Sequence, residues 1–528
     1  MATAEITSAS GQVLPAFRNE PLVDFSQPQN RDNYLAALAK VRGQLGREYL
    51  NHIGTVRAAA SQKFTSDNPS RIGEVVGLHQ ESSAATAREA ITEAERVFQH
   101  LWRWSKPEDR VEVLLKAAKI IRQRKTEFSA WLTFEVGKTF PEADADVAET
   151  IDFLEYYSRL ALKLAEPPAL LQMPGEHDEM RYIPLGVGAV IPPWNFAMAI
   201  MAGMTGAAIV AGNTVVLKPS SDSPTIAALF VQVLEEAGLP PGVVNLVTGG
   251  GNIVGNALVE DPRVRFIAFT GSKTVGLEIH EKAARTPRGQ MWIKRTLLEM
   301  GGKDSILVND DADLDAAVSG VVASAFGFQG QKCSACSRAI VHAAVYDRFV
   351  EAVAAAARQL KVGDAADPAN ALGPVINQRA MNKIQEYFAV GRREGRLLAG
   401  GEAVGGTGFF LPATVFADVA PDAQLAQEEI FGPVLAIIKC RDFEHGLEIA
   451  NNTEYGLTGA VYTNSSDRLE QAREQFHVGN LYLNRKCTGA MVGAHPFGGF
   501  NMSGTDSKAG GPDYLLLFTQ AKSIAQRL

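Results

Sequence analysis

The chain has 528 residues and a formal net charge of −8, with a hydrophobic content of 46% and a charged content of 21% that are typical of globular proteins. This length suffices for two or three domains with large hydrophobic cores. Acidic residues outnumber basic ones, and the sequence has no cluster of Lys and Arg of the kind that binds DNA or RNA. We therefore expect no nucleic acid partner.

The cysteine content bears on the cellular compartment. Four cysteines are too few for a disulfide framework in a chain of this length, which indicates a reducing compartment. The N-terminal stretch MATAEITSASGQVLPAFRNEP has neither the basic region nor the apolar region of a secretory signal. A cytoplasmic location is therefore expected.

The first 180 residues are predicted to be mainly helical. In the stretch SKPEDRVEVLLKAAKII, Ser105 is a candidate N-cap, Pro107 fits the first turn, and Glu108 completes a capping box. The uncharged run 182–217 has the length of a membrane span, but its prolines and glycines divide it into strand, loop, helix and strand. We therefore expect no membrane association, and a segment buried within a sheet.

Strands and helices alternate from residue 186 onward. A helix is predicted from Thr225 to Ala237, with Gly238 as its terminator. This alternation predicts an α/β fold with a parallel sheet covered on both faces, an architecture typical of nucleotide-binding domains. The predicted strands of this first sheet are GAVI (188–191), TVVL (214–217), VVNLV (243–247) and RFIAF (265–269).

A second α/β region follows, with helices such as 346–360 between its strands. Ligands of such folds bind at the carboxyl ends of the strands, so the loops after the strands are expected to hold the chemistry. The predicted strands are SILV (305–308), AIVHA (339–343), VLAII (434–438), GAVYT (459–463) and NLYLN (480–484).

Cys333 and Cys336 stand at C-x-x-C spacing in the loop GFQGQKCSACSR, between a helix expected to end near Phe326 and a strand expected to begin near Arg338. A structural zinc site would need a second pair of ligands, and the remaining cysteines, 440 and 487, stand far apart without neighbouring histidines. A thioredoxin-like pair would open a helix, whereas a strand follows here. We predict no metal site, with dithiol chemistry or an inert buried pair as alternatives.

The third interpretation is a lone nucleophile at Cys333. The glycines of its loop permit close approach of a substrate, and Lys332 is expected to favour the thiolate. A nucleophile also needs a base and a stabiliser of negative charge. Glu299 in LLEMGGKD is the candidate base, and Asn195 in IPPWNF is the candidate donor to an oxyanion, although each alone is more typical of an ordinary loop residue.

Six motifs in order carry a resemblance to the aldehyde dehydrogenase superfamily, which extends from about residue 55 to the end. They are PWNF (193–196), TVVLKPS (214–220), FTGSKTVG (269–276), LEMGGKD (298–304), GQKCSACSR (330–338) and EEIFGPV (428–434). The resemblance implies the aldehyde dehydrogenase fold: a Rossmann-like cofactor domain, an α/β catalytic domain and a β-flap that serves oligomerisation.

Further segments resemble one branch of that superfamily, which oxidises L-glutamate γ-semialdehyde, formed from 1-pyrroline-5-carboxylate, to L-glutamate in proline catabolism. They are AFRNEP (16–21), AETIDFLEYYSR (148–159) and FHVGNLYLNRKCTGAMVGAHPFGG (476–499). The resemblance implies that Cys333 attacks the aldehyde, that Asn195 and the Cys333 backbone N–H hold the oxyanion, and that Glu299 activates water to hydrolyse the thioester. The presence of Glu299 favours water over coenzyme A as acyl acceptor.

NAD is the cofactor that the resemblance implies. The residues implied to bind it are Pro193, Trp194, Lys218, Ser220, Ser221, Gly271, Ser272, Glu429 and Phe431. Many NAD-selective relatives have Glu where this chain has Ser221, so we expect NAD as the main cofactor with measurable use of NADP. The stretch TGGGNIVG (248–255) has one residue too many for the dinucleotide fingerprint and is interpreted as a turn from strand to helix.

For the small-molecule substrate, the resemblance implies an anchor for the α-carboxylate and an aromatic sandwich for the aliphatic chain. Glu149 is a candidate for the ammonium group, with a purely structural role as the alternative, and Arg485 and Lys486 are further candidates for the carboxylate. The anchor is Ser334 with the backbone N–H groups of Gly489 and Ala490, and the sandwich is Phe196 with Phe497, for which core packing is the alternative.

The predicted organisation follows the resemblance. Residues 1–164 are the helical part of the cofactor domain, 165–183 the β-flap, 184–300 the Rossmann-like NAD-binding core, 301–478 the catalytic domain, 479–504 the return segment with the anchor loop, and 505–528 an oligomerisation tail. A homo-oligomer is expected. Two alternatives stay open: a dehydrogenase for another semialdehyde, such as succinate semialdehyde, and a non-catalytic binding protein on the same fold.

Overall fold

The computed structural model describes residues 6–7 and 13–528, and fifteen α-helices lie within these ranges. They are α1 (Pro28–Arg42), α2 (Ala84–His100), α3 (Pro107–Gln123), α4 (Lys125–Val136), α5 (Phe140–Ala165), α6 (Ala199–Val210), α7 (Pro224–Glu236), α8 (Asn256–Glu260), α9 (Lys273–Ala284), α10 (Leu314–Phe326), α11 (Tyr346–Gln359), α12 (Gln378–Glu394), α13 (Gln424–Gln427), α14 (Phe443–Asn451) and α15 (Ser466–Gln475).

Twenty-three strands lie in the same described ranges. They are β1 (Ile6–Thr7), β2 (Val13–Leu14), β3 (Arg47–Glu48), β4 (Asn51–Ile53), β5 (Val56–Ala58), β6 (Gln62–Asp67), β7 (Val75–Glu81), β8 (Glu176–Pro184), β9 (Val187–Ile191), β10 (Thr214–Leu217), β11 (Val244–Leu246), β12 (Val264–Thr270), β13 (Arg295–Glu299), β14 (Ser305–Val308), β15 (Arg338–His342), β16 (Arg396–Ala399), β17 (Thr414–Ala417), β18 (Val434–Cys440), β19 (Tyr455–Gly456), β20 (Thr458–Tyr462), β21 (Asn480–Leu483), β22 (Phe500–Asn501) and β23 (Thr519–Arg527).

The first large sheet has the order β13-β12-β9-β10-β11-β4-β5. Its strands from β13 to β11 run parallel, and β4 and β5 extend it as antiparallel strands. The four strands predicted between 188 and 269 all form and pair here, so the prediction of a parallel sheet is confirmed. Helices α6 and α7 connect these strands and bury apolar residues against the sheet.

The second large sheet has the order β16-β17-β18-β15-β14-β20-β21 and is parallel except for the pairing of β16 with β17. All five predicted strands lie in it. The helix α10 ends at Phe326 and β15 begins at Arg338, as expected for the cysteine loop. Each of the two sheets therefore has its own set of loops at the carboxyl ends of its strands, where ligands of such folds bind.

The prediction of a mainly helical N-terminal region is wrong for residues 47–81. Strands β3 to β7 lie there, and β6 and β7 form an antiparallel pair. These strands escape a periodicity analysis because several are only two or three residues long. The predicted cap of α3 is also wrong: Lys106 occupies the N-cap position without a side-chain bond, and Ser105 donates instead to the Trp102 carbonyl at 2.6 Å.

Strands β8 and β23 form a separate antiparallel ribbon over their full nine residues. The ribbon joins the predicted flap, 165–183, to the predicted tail after 505. Its use in oligomerisation stays a prediction. The predicted domain boundaries also stay predictions. The uncharged run 182–217 contains the end of β8, then β9, α6 and β10, as predicted. In the ranges that the structure describes, no helix has both the length and the apolar character needed to cross a membrane.

Candidate active site

A cavity of about 510 Å³ lies at the carboxyl edge of the first sheet. One wall contains residues at or just beyond the ends of β9, β10, β12 and β13, and the opposite wall contains Cys333 and the segments 376–383 and 429–431. Residues far apart in sequence therefore meet in one cleft. Of the predicted site residues, it brings together Pro193, Trp194, Asn195, Lys218, Ser220, Gly271, Ser272, Cys333, Glu429 and Phe431.

The loop that carries Cys333 is held in an unusual backbone conformation. Phe328, Gln329 and Gly330 all have positive φ, at 49°, 57° and 66°. A side chain at Gly330 is excluded, because its Cβ would lie 2.3 Å from the carbonyl oxygen of Gly432. Two consecutive non-glycine residues in this region cost free energy, and such strain persists where the surrounding structure enforces it. Contacts such as that of Gly330 with Gly432 therefore hold this loop, which leads into Cys333, in one conformation.

The thiol of Cys333 lies in an acidic environment. Burial raises its pKa well above the usual value, and the nearby carboxyl groups of Asp304, Glu299 and Glu429 raise it further. The expectation that Lys332 favours the thiolate is wrong, because the Lys332 ammonium forms an ion pair with Glu142 at 2.8 Å. These surroundings favour the neutral thiol of Cys333 over its thiolate.

The amide of Asn195 is fixed beside this loop. Asn195 is 4% exposed, and one N–H of its Nδ2 donates to the carbonyl oxygen of Gln331 at 3.0 Å. The second N–H of that amide remains for a ligand in the cleft. The backbone N–H of Cys333 likewise has no hydrogen-bond acceptor among residues 14–528. Two donors are thus available near the sulfur.

The carboxylate of Glu299 stands at the end of β13. Ser507 donates to its Oε1 twice, from the hydroxyl at 2.5 Å and from the backbone N–H at 3.3 Å. Oε2 is buried and has no hydrogen-bond partner among the described residues. Burial raises the pKa of Glu299 to about 7, so this group exchanges a proton near neutral pH.

Two of the predicted cofactor residues bring different groups to the cleft. Lys218 contributes an ammonium group, and Ser272 stands at the N-terminus of α9. Burial lowers the pKa of Lys218 to about 8, and its ammonium donates to the Pro219 carbonyl at 3.1 Å, which leaves two of its three N–H groups. Ser272 is the N-cap of α9 and accepts from the Val275 N–H at 3.4 Å. Free N–H groups at such a helix start suit a phosphate group. Ser221 is exposed and does not line the cavity.

An acidic and an aromatic side chain from the segment 429–431 complete this wall. Glu429 is partly buried, desolvation raises its pKa, and its Oε1 accepts from the Gly302 N–H at 3.1 Å. Phe431 has a left-handed φ of 62°, and its ring packs edge-on against Trp194 at 5.7 Å between ring centroids. Glu429 and Phe431 therefore keep fixed positions beside Cys333.

The predicted substrate anchor lies next to the nucleophile loop. Cys487 donates from its sulfur to the carbonyl oxygen of Ser334 at 3.5 Å, which brings the segment before Gly489 against the residue after Cys333. Within residues 14–528, the backbone N–H groups of Gly489 and Ala490 have no acceptor. Unpaired N–H groups of two consecutive residues are suited to bind an anion.

The remaining substrate candidates differ in their surroundings. Phe196 and Phe497 are both partly exposed, so neither ring is fully enclosed in a core. Arg485 donates to the carbonyl oxygens of Thr488 and Gly489, at 3.2 and 3.1 Å, and so supports the anchor loop. Burial raises the pKa of Glu149 to about 8, which leaves it largely uncharged at neutral pH and weakens it as a partner for an ammonium group.

A row of carboxylates on α5 is a feature that sequence reasoning missed. Glu142, Asp146 and Glu149 recur at intervals of four and three on this helix, and the first two pair with Lys332 and Lys138. The Lys138–Asp146 pair is fully buried, and the Lys138 ammonium lies 4.4 Å from the centre of the Phe196 ring. The spacing of these acidic residues on α5 was the available signal; Lys138 lies 8 positions from Asp146, whereas Lys332 lies 190 positions from Glu142.

The other cysteines are buried and unpaired. Cys336 is 1% exposed and donates to the Arg338 carbonyl at 3.4 Å, and the four cysteines of the chain are all free thiols. Among the residues that the structure describes, no three His, Cys, Asp or Glu side chains come together in a metal-binding arrangement. Cys336 therefore lies behind the loop as a small buried neighbour of Cys333.

The model of the aldehyde dehydrogenase family matches residues 56–524, and therefore most of the chain. The chain belongs to the aldehyde dehydrogenase family. The family and the fold expected from the six motifs are thus confirmed.

Individual members of the aldehyde dehydrogenase family are similar to the chain over nearly its whole length. The 1-pyrroline-5-carboxylate dehydrogenase of Geobacillus kaustophilus is 56% identical over 97% of this chain and 100% of the relative. The 1-pyrroline-5-carboxylate dehydrogenase of Bacillus cereus is 54% identical over 98% of this chain and 100% of the relative. A solved structure of 1-pyrroline-5-carboxylate dehydrogenase from Thermus with bound NAD superposes with a TM-score of 0.96 at 48% identity, and the match covers 98% of this chain and 100% of that one.

Proposed function

We propose that the chain oxidises L-glutamate γ-semialdehyde, the open form of 1-pyrroline-5-carboxylate, to L-glutamate with NAD. The observation that carries the proposal is the position of Cys333, which lines the cleft with the predicted cofactor residues and is followed by Ser334 in contact with the anchor loop. The relatives named for this activity support the choice of aldehyde.

The residues of the cleft fit a dinucleotide. Lys218 keeps two unused N–H groups for a ribose, the N-terminus of α9 faces the cleft for a pyrophosphate, and Glu429 and Phe431 stand beside Cys333 for the nicotinamide end. NAD, when bound, supplies the acceptor for a hydride. Because Ser221 neither lines the cavity nor carries a charge that repels a 2′-phosphate, measurable turnover with NADP is also proposed.

The first chemical step belongs to Cys333. Its thiol releases a proton to water in the cleft, the sulfur forms a bond to the aldehyde carbon, and the electron pair of the carbonyl bond moves to the oxygen, which becomes an oxyanion. The free N–H of Asn195 and the backbone N–H of Cys333 are the donors for that oxygen. After loss of the hydride, the carbon is held to Cys333 as a thioester.

Hydrolysis of the thioester is assigned to Glu299. Oε2 of the carboxylate takes a proton from water while the water oxygen bonds to the acyl carbon, and the carbon–sulfur bond then breaks to release the acid and the Cys333 sulfur. A pKa of about 7 suits a group that must both accept and return a proton near neutral pH. Oε2 has no hydrogen-bond partner among the described residues, so it keeps an unused acceptor for this water.

A steady-state assay tests the substrate. Pyrroline-5-carboxylate, succinate semialdehyde and an uncharged aldehyde of similar length are compared with NAD and with NADP, and Cys333→Ala serves as the inactive control. We expect kcat/KM for pyrroline-5-carboxylate to exceed that for the others roughly tenfold or more, since the uncharged aldehyde leaves the carboxylate donors unpaired, and succinate semialdehyde is one carbon shorter and lacks the ammonium group. Faster oxidation of succinate semialdehyde would favour that alternative instead, and undiminished activity of Cys333→Ala would contradict the mechanism.

A homo-oligomer is proposed from the β8–β23 ribbon. Apolar side chains near it are strongly exposed, with Leu171 at 86% and Leu528 at 83%. Exposed apolar groups beside a ribbon of two strands suit burial against a second copy of the chain. Light scattering coupled to size exclusion measures the mass. A monomer at micromolar concentration would contradict this part of the proposal.

A further inference from the structure

The carboxylate of Glu299 contacts a segment that lies about 200 residues later in the chain, where the predicted return segment meets the predicted oligomerisation tail. Gly504 forms an isolated antiparallel bridge with Glu299, and Ser507 then donates twice to Oε1. Ser507 is 5% exposed, so its hydroxyl is shielded from solvent. The two oxygens of the carboxylate therefore differ: Oε1 holds both donors, and Oε2 has no partner among the described residues.

We propose that Ser507 is a positioning residue for the general base: it binds Oε1 of Glu299 and thereby leaves Oε2 as the oxygen that activates water. The inference rests on the role proposed above for Glu299. A carboxylate free to rotate would present either oxygen, and a displacement of about 1 Å in a catalytic group can lower a rate by two orders of magnitude. Ser507 removes that freedom by occupying one oxygen.

The hydrogen bond from Ser507 also affects the pKa of Glu299. A hydroxyl that donates to a carboxylate favours its ionised form, and Ser507 is the main influence that lowers the pKa against the effect of burial. The other groups that face this carboxyl are Lys508, Asp506, Tyr514 and Cys333. Lys508 also lowers the pKa and Asp506 raises it. Without the Ser507 hydroxyl, the pKa of Glu299 is expected to rise, so that less base is present at neutral pH.

Only the hydrolytic step should depend on this bond. Formation of the thioester uses the Cys333 sulfur and the donors near it, whereas its hydrolysis needs the water-activating oxygen of Glu299. Replacement of Ser507 should therefore leave the first turnover intact and slow the later ones. A merely structural role would instead lower both phases together, or neither.

The test compares Ser507→Ala with Ser507→Thr, which keeps the hydroxyl, and with Ser503→Ala. Ser503 is a matched control because it is buried in the same segment, and its hydroxyl accepts from the Gly456 N–H at 3.1 Å without contact to Glu299. Each full-length variant is acylated with p-nitrophenyl acetate, and the loss of the acetyl group from Cys333 is followed by mass spectrometry between pH 6 and 9. This probe needs neither the proposed aldehyde nor the cofactor.

For Ser507→Ala we expect deacetylation at pH 7 to fall roughly tenfold, the acetylated enzyme to accumulate, and the rise of the rate with pH to move to higher pH. Ser507→Thr should restore most of the rate, and Ser503→Ala should keep the wild-type pH profile. Deacetylation of Ser507→Ala with an unchanged rate and pH profile would overturn the inference, as would an equal loss in Ser503→Ala. A wild-type enzyme that deacetylates but ignores pyrroline-5-carboxylate would count against the proposed substrate and leave the role of Ser507 standing.

Discussion

Replacement of Lys138 by Met should destabilise the protein strongly, because Lys138 belongs to a fully buried ion pair. Its ammonium lies 2.9 Å from Asp146 Oδ2, and both side chains are 0% exposed. Removal of one partner leaves the other charge buried without compensation, which typically costs about 3–5 kcal/mol of unfolding free energy. The Asp146 carboxylate would keep only the donor from the Ala199 backbone, at 2.7 Å.

A matched pair on the surface gives the control. Lys116 and Glu112 are 2.8 Å apart, a similar distance, but their side chains are 57% and 60% exposed. Such a pair contributes about 0–1 kcal/mol, since water and salt screen the charges and the long side chains lose entropy. Lys116→Met should therefore change the unfolding free energy by less than about 1 kcal/mol.

The double variant Lys138→Met with Asp146→Leu separates the charge from the packing. It removes both charges and should recover most of the loss, apart from about 1–3 kcal/mol for the Ala199 N–H that is left without an acceptor. The Lys138 ammonium also lies over the Phe196 ring at 4.4 Å, so a raised KM for the aldehyde is expected in the active variants.

Unfolding free energies come from urea titrations followed by tryptophan fluorescence, with the four proteins measured in the same buffer. The decisive comparison is between the two lysine variants. Equal midpoints for Lys138→Met and Lys116→Met would refute the reasoning, because they would mean that burial adds nothing to the cost of breaking an ion pair.

Three further predictions concern Glu299 and Cys333. Glu299→Gln should complete one turnover and then slow by about 10²–10⁴-fold, measured as a burst of reduced cofactor in stopped flow. In the unaltered enzyme, kcat should rise with pH through about pH 7, because the pKa of Glu299 is about 7 and its ionised form is the base; a flat profile from pH 5.5 to 8.5 would contradict this. Alkylation of Cys333 by iodoacetamide at pH 7 should be slower than that of free cysteine, since its pKa is raised, and should accelerate with bound NAD, whose nicotinamide ring is cationic; mass spectrometry gives both rates.

The sequence determined the two α/β regions through local patterns. Each predicted strand from 188 to 484 formed, because a strand buried on both faces reads as a short continuous apolar run whatever its partners are. The cysteine loop was also placed correctly between Phe326 and Arg338, since turn residues separate two strongly periodic segments there. The candidates Cys333, Asn195 and Glu299 could be selected because each follows or precedes such an element.

Only the tertiary structure decided the contacts between residues that are distant in sequence. Lys332 was expected to assist its neighbour Cys333, yet it pairs with Glu142, 190 positions away. Ser507 reaches Glu299 across 208 positions. Periodicity and spacing report which face of an element is buried, and they carry no information on which side chains from other elements meet there. The protonation of Cys333, Glu299 and Lys218 depends on burial and on such partners, and therefore follows from the fold alone.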